Sequence, residues 1–315
     1  MSPHRTPPVS PVIVLAFAAA GISVSGPLVR LSHAAPLAIA VGRLGFSLVV
    51  IAAFLVYTGT WRQYRRLTRG DVGAAVAAGA VLALHFWSWI SSIGMTSVAA
   101  SVVLVNMSPA MVAIGSAMWL RERPTGRQVI GIAVALIGAV VLAWGDLRTS
   151  SASASALLGS RALLGDVLAL LGALTVSGYL LFGRRLRQKL DLWPYVGLVY
   201  GACFVFVCVL AALTGAPVLG QPPRELLIFG AMAFGPMLLG HTGFNWALRY
   251  VPAYVVSLVA LTEPVGATLL AALIPGIAEV PSVFTFAGGG IILTGILMTA
   301  RRAPARDDDS AQPTD

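Results

Sequence analysis

Apolar residues along this chain gather in ten long runs, and polar residues fall in the short gaps between them. The runs cover about 11–29, 36–57, 71–93, 97–120, 125–144, 164–183, 193–213, 225–247, 253–274 and 282–300. Each is near the roughly 20 residues that a helix needs to cross a bilayer core. The gaps carry turn and breaker residues: Ser32 to Pro36, Arg121 to Pro124, Tyr250 to Pro252 and Pro275 to Pro281. The longest gap, 145–163, contains the Ser/Ala-rich stretch 149–155 and predicts a flexible linker between five spans and five.

Two stretches echo each other. Asn106 and Ser108 precede Pro109; an apolar run follows, then Glu122 and Pro124, then Gly131 and Gly138. In the second stretch Thr262 and Glu263 precede Pro264, followed by Glu279 and Pro281, then Gly288 and Gly295. The spacing Glu-x-Pro, seven residues to Gly and seven more to Gly holds in both. The prolines are offset by 155 positions and the glutamates by 157. This predicts an internal duplication, with one five-helix repeat over 12–144, a linker over 145–163, a second repeat over 164–300 and a disordered cytoplasmic tail over 301–315.

Composition excludes a water-soluble fold. Hydrophobic residues are 57% of the chain, charged residues 10%, and the mean hydropathy is +0.86. A soluble domain carries about 25% charge. Long apolar runs in lipid must be helices that satisfy their own backbone. The expected fold class is therefore an all-α polytopic membrane protein, with the bilayer as its first partner. A net charge of +9 on a soluble protein would suggest nucleic acid, but here the cations flank the spans and no nucleic-acid partner is expected.

With the N-terminus inside, sixteen Lys and Arg residues fall in inside segments. Only Arg148, Arg161 and Arg224 fall outside, while Arg30 and Arg43 lie in or at the edge of spans. That bias places both termini in the cytoplasm and predicts a multi-pass protein of the inner membrane. Five is an odd number, so the second copy crosses in the opposite sense. Glu122 then lies inside among Arg121, Arg123 and Arg127, and Glu279 lies outside in a loop without Lys or Arg. Ten helices in two inverted repeats suit a secondary transporter, whose pseudo-symmetry gives two conformations around a site at mid-membrane.

The residues 106–109 through 121–124 to Gly138, and their second copy from Glu263 to Gly295, resemble the EamA-type family of the drug/metabolite transporter superfamily. Arg43 in the second span also fits that family. The resemblance covers about 12–300. It implies a central cavity between the halves and export of small metabolites or amino acids by alternating access. One departure is Ile274-Pro-Gly-Ile-Ala before Glu279, which predicts an early end to helix nine.

Several residues are candidates to line such a cavity. Glu263 lies about 15 Å into its span at 1.5 Å per residue. It could meet a substrate amine or carry a proton, or it could anchor structure beside Pro264, because an acid inside lipid needs a cavity or a partner. Arg43, about 10 Å deep, could snorkel outward, reach Glu263 or meet an anionic substrate group. His85 and Trp89 share a helical face, and His241 and Asn245 echo them in span eight. Asn106 precedes the break expected at Pro109, and Tyr179 is a weaker pointer. Gly131, Gly138, Gly288 and Gly295 predict close helix packing.

Other classes fit less well. Cys203 and Cys208 diverge on one helix, so neither a disulfide nor a metal site is expected. The mid-membrane acid is solitary, and no cofactor or enzyme chemistry is expected. A nucleotide-sugar or phosphate-ester exchanger would want more than one deep cation. The sequence specifies no oligomeric state.

Overall fold

The structure, a computed structural model, describes residues 6–96, 98–149, 160–274 and 281–300. Every regular element among them is helical. Ten helices are long and apolar enough to cross a membrane. They are α1 (Pro11–Leu31), α2 (Pro36–Thr58), α3 (Arg69–Ile93), α4 (Ala100–Leu120), α5 (Gly126–Gly145), α6 (Ser160–Arg187), α7 (Leu192–Thr214), α8 (Pro223–Ala247), α9 (Ala253–Leu270) and α10 (Val283–Ala300). Between a third and a half of each span is buried. Much of the remainder is apolar surface, including Val49, Leu174, Phe234 and Leu293, which only lipid covers without cost.

The expected linker 145–163 is narrower in the fold. The helix of α5 continues to Thr149 and α6 begins at Ser160. Positions 150–159, the expected tail 301–315 and the loop with Glu279 lie outside the described residues. The ninth span closes early: its helix stops at Leu273 and Ile274 is extended.

Local chemistry sets the helix boundaries. Proline opens α1, α2 and α8, where its missing N–H is not needed. Helices α2 and α7 both end on a glycine in the left-handed region, Gly59 (φ 61°) and Gly215 (φ 67°). These glycines occupy equivalent places in the two halves.

The two mid-span prolines act alike. Pro109 cannot donate to Val105 and its ring crowds that carbonyl, so helix stops at Val105 and resumes at Ser108. Pro264 stands in the same relation to Ala260, where helix stops, and helix resumes at Glu263. Each break lies four residues before its proline, where the lost bond would have been.

Helix packing is reciprocal between the halves. Helix α3 packs on α6 and α7 of the other half; α8 packs on α1 and α2. Helix α4 packs on α6, and α9 packs on α1. The pairs α2–α7, α4–α9 and α5–α10 each join equivalents. The glycine seam shows this most closely. A Cβ on Gly131 would lie 2.7 Å from the Gly295 carbonyl, and one on Gly138 would lie 2.7 Å from the Gly288 carbonyl. The first glycine of each pair meets the second of the other, as in a contact across a two-fold axis.

Candidate functional site

Arg43 on α2 is the largest buried cation near the middle of the bundle, 1% exposed. It does not snorkel to a span end. Its Nη2 donates to Met237 Sδ at 3.1 Å, and its guanidinium carbon lies 4.4 Å from the Phe86 ring centre. Its Nε and Nη1 have no hydrogen-bond partner. Burying such donors unpaired is expensive, so the position is not explained by packing alone.

Phe86, which carries Arg43, lies edge-on to His241 at 5.5 Å between ring centres. His241 in turn lies edge-on to Tyr179 at 6.3 Å. Asn245 Nδ2 donates to both Tyr179 (2.6 Å) and Tyr200 (3.0 Å). Thr242 gives its hydroxyl proton to the Met237 carbonyl at 3.0 Å, so Tyr200 must donate to Thr242 at 3.2 Å. A polar and aromatic chain thus links α2, α3, α6, α7 and α8 through the interior.

His85 and Trp89 share a face as their spacing requires, with parallel rings 6.2 Å apart. His85 Nδ1 donates to the Gly172 carbonyl at 2.9 Å, which fixes the tautomer. His241, which echoes His85 in sequence, receives no hydrogen bond among the described residues. The local backbone also differs. Helix α8 carries Pro236 and is wound as a π-helix over Ala233–His241, a form that recurs at functional sites.

Glu263 sits at the break of α9 and is partly buried. It is close enough to Arg43 for their charges to interact. Among the described residues it forms no ion pair or hydrogen bond. Arg43 and Glu263 thus lie within electrostatic reach inside the bundle without a direct bond. Ser108, the equivalent residue in the first half, is neutral; it lies 3.4 Å from the Ser257 hydroxyl, and its carbonyl accepts from Ser177 at 3.3 Å. Asn106 is partly buried with Nδ2 unpaired, and it does not join the Arg43 cluster.

An apolar cavity of about 200 Å³ opens between α1, α9 and α10. Ser23, Thr262, Val265 and Gly266 line it, next to Glu263 rather than among the polar chain. Sequence reasoning missed Phe86, Met237, Tyr200 and Thr242. A weak signal existed in Met237, which follows the helix-breaking Pro236.

The ends of the bundle hold the remaining charges. Glu122, which lies among Arg121, Arg123 and Arg127 in sequence, pairs with Arg184 at 2.7 Å. Asp191 accepts from Arg249 at 2.7 Å and Gln63 at 2.6 Å. Partial burial alone would raise the Asp191 carboxyl, but these two bonds and the nearby positive charge hold it below its ordinary value. Arg187, read from sequence only as a topology marker, is 1% exposed and donates to the carbonyls of Asn245 and Leu190.

Ten apolar spans around a polar interior define a polytopic helical membrane protein. The profile of the EamA-like transporter family matches residues 9–144 and 163–301, so the chain belongs to that family, a branch of the drug/metabolite transporter superfamily. An uncharacterized transporter from Archaeoglobus fulgidus is 26% identical over 276 residues, covering 85% of this chain and 89% of that protein. A crystal structure at 18% identity shares the fold, with a TM-score of 0.73 over 92% of this chain and 96% of the other. The protein is a membrane transporter.

Proposed function

We propose that this protein is a secondary transporter that exports small metabolites or amino acids across the inner membrane by alternating access. Its halves, 12–144 and 164–300, are inverted copies, and both termini are cytoplasmic. The reciprocal helix packing supports the first statement, and the bias of Lys and Arg toward one end supports the second. The observation that carries the reading is the unclosed pair of Arg43 and Glu263 beside the break in α9. A guanidinium and a carboxyl group held apart in the interior offer complementary contacts to a small polar substrate. Arg43, His85, Trp89, Asn106, Tyr179, His241, Asn245 and Glu263 line or support its path.

A single deep guanidinium suits one carboxylate better than a diphosphate, which disfavours a nucleotide-sugar exchanger. Family membership favours transport over catalysis. The test is a metabolite efflux screen of cells overexpressing the protein, with Glu263→Gln and Arg43→Gln as controls. The expected result is accumulation outside the cell of a small zwitterionic or monoanionic metabolite, lost in both variants. Efflux that persists in both variants would remove this cluster from the path, and unchanged metabolite profiles would refute export.

A further inference from the structure

Two carboxylates at equivalent positions tie the two halves together at opposite ends of the bundle. Asp71 is the third residue of α3 and Glu225 the third residue of α8. They are offset by 154 positions, close to the 155 that separates Pro109 from Pro264. Each reaches the loop between the first two helices of the other half. Asp71 Oδ1 accepts from Lys189 at 2.5 Å, in the turn between α6 and α7. Glu225 Oε2 accepts from the Ser32 hydroxyl at 2.5 Å, and its Oε1 accepts from the His33 backbone N–H at 3.1 Å, between α1 and α2.

The two contacts are built differently. Asp71 splits its oxygens: Oδ2 closes a capping box with Thr68, leaving Oδ1 for Lys189. In that ion pair the lysine side chain is 56% exposed and the Asp71 side chain 12%. Exposed pairs are weak and salt-sensitive. Glu225 is 4% exposed at its side chain and takes a hydroxyl, a backbone amide and its neighbour Arg224 (3.1 Å), whose side chain is 53% exposed. Arg224 also donates to the Leu31 carbonyl at 2.7 Å, tightening the same loop. Charge-assisted bonds to a shielded carboxylate are about twice as strong as neutral ones.

We propose that Asp71–Lys189 and Glu225–Ser32/His33 are the two gate latches of the transport cycle, one at each membrane face, and that the cycle breaks them in turn. This rests on the alternating-access reading above. The latches bridge the halves at the mouths of the interior, where a two-fold exchange of conformations must separate one end while closing the other. The two latches differ in bond number: Glu225 makes two bonds across the halves and Asp71 one, so breaking the Glu225 latch should have the larger effect.

The test is hydrogen–deuterium exchange of the full chain in lipid nanodiscs, comparing the wild type with Glu225→Gln and Lys189→Gln. Lys189→Gln leaves the Thr68 cap intact. In Glu225→Gln, amides of 31–36 should exchange on the order of fivefold faster, the factor that one net hydrogen bond supports. Amides of 186–192 should at the same time exchange more slowly. Lys189→Gln should give the mirror pattern with smaller amplitude. Ser32→Ala, which removes one donor and no charge, should reproduce the Glu225→Gln pattern if that variant does not fold. Faster exchange confined to the altered end, or at both ends together, would overturn the proposal, because a plain surface contact has no effect across the membrane. The efflux screen decides the transporter reading separately, since exchange needs no substrate.

Discussion

Helices α3 and α8 are equivalents, each 25 residues long, and they have been put to different uses. His85 and Trp89 in α3 are echoed in sequence by His241 and Asn245 in α8, each offset by 156. In α3 the backbone is regular, the histidine is tied to Gly172, and Trp89 stacks on it. In α8 the backbone widens at Pro236, His241 is held only by ring contacts, and Asn245 organises two tyrosines. One copy is a strut and the other a joint. The two helices carry similar residue pairs on differently wound backbones.

The sharpest test of that difference is to give α3 the proline that α8 tolerates. Ala80 lies inside a regular helix, five residues before His85 as Pro236 is five before His241. Ala80→Pro should cost about 3 kcal/mol or more, read as a lower thermal midpoint of the purified protein. If α3 accepts it without loss, α3 is as deformable as α8. Next in size is the Trp89/Asn245 pair. Asn245→Leu leaves two buried hydroxyls without their shared donor and should cost about 2–4 kcal/mol. Trp89→Leu, on a partly buried face, should cost about 1 kcal/mol. Equal losses would mean that the tyrosine network is not specific to the second half.

The histidines come third. His85→Ala should lower stability by about 1 kcal/mol through the lost bond to Gly172. His241→Ala should lower it less and reduce efflux more. Reversed effects would exchange the roles of strut and joint. The smallest effect concerns pH at the basic end. Asp191 has a folded value below the roughly 3.9 of a free aspartate, so it contributes stability above that unfolded value. The contribution is lost as pH falls through the lower folded value. Exchange at 188–192 should therefore be flat from neutral pH to about 5 and rise only under stronger acid, after correction for intrinsic rates. Asp191→Asn should abolish that rise.

Features set by single spans were legible in the sequence. The ten runs, the breaks at Pro109 and Pro264, and the early stop at Leu273 follow from apolar length and from missing donors. The glycine seam was legible because the Gly131/Gly138 and Gly288/Gly295 spacing repeats. Contacts between spans were not. Arg43 meets Met237 across 194 positions, and Glu225 meets Ser32 across 193. No local pattern marks which polar residue of a helix faces which partner when every helix is apolar on several sides. Glu122 illustrates the limit, since its neighbours in sequence are arginines but its partner is Arg184.

The proposed inversion of the two halves underlies the latches and the comparison of α3 with α8. It requires five crossings before the central linker, so that linker must lie opposite the N-terminus. A cysteine placed at Ser153, in a chain lacking its two native cysteines, should react with a membrane-impermeant maleimide in intact cells. Protection until the cells are lysed would put the linker in the cytoplasm and contradict the inverted arrangement.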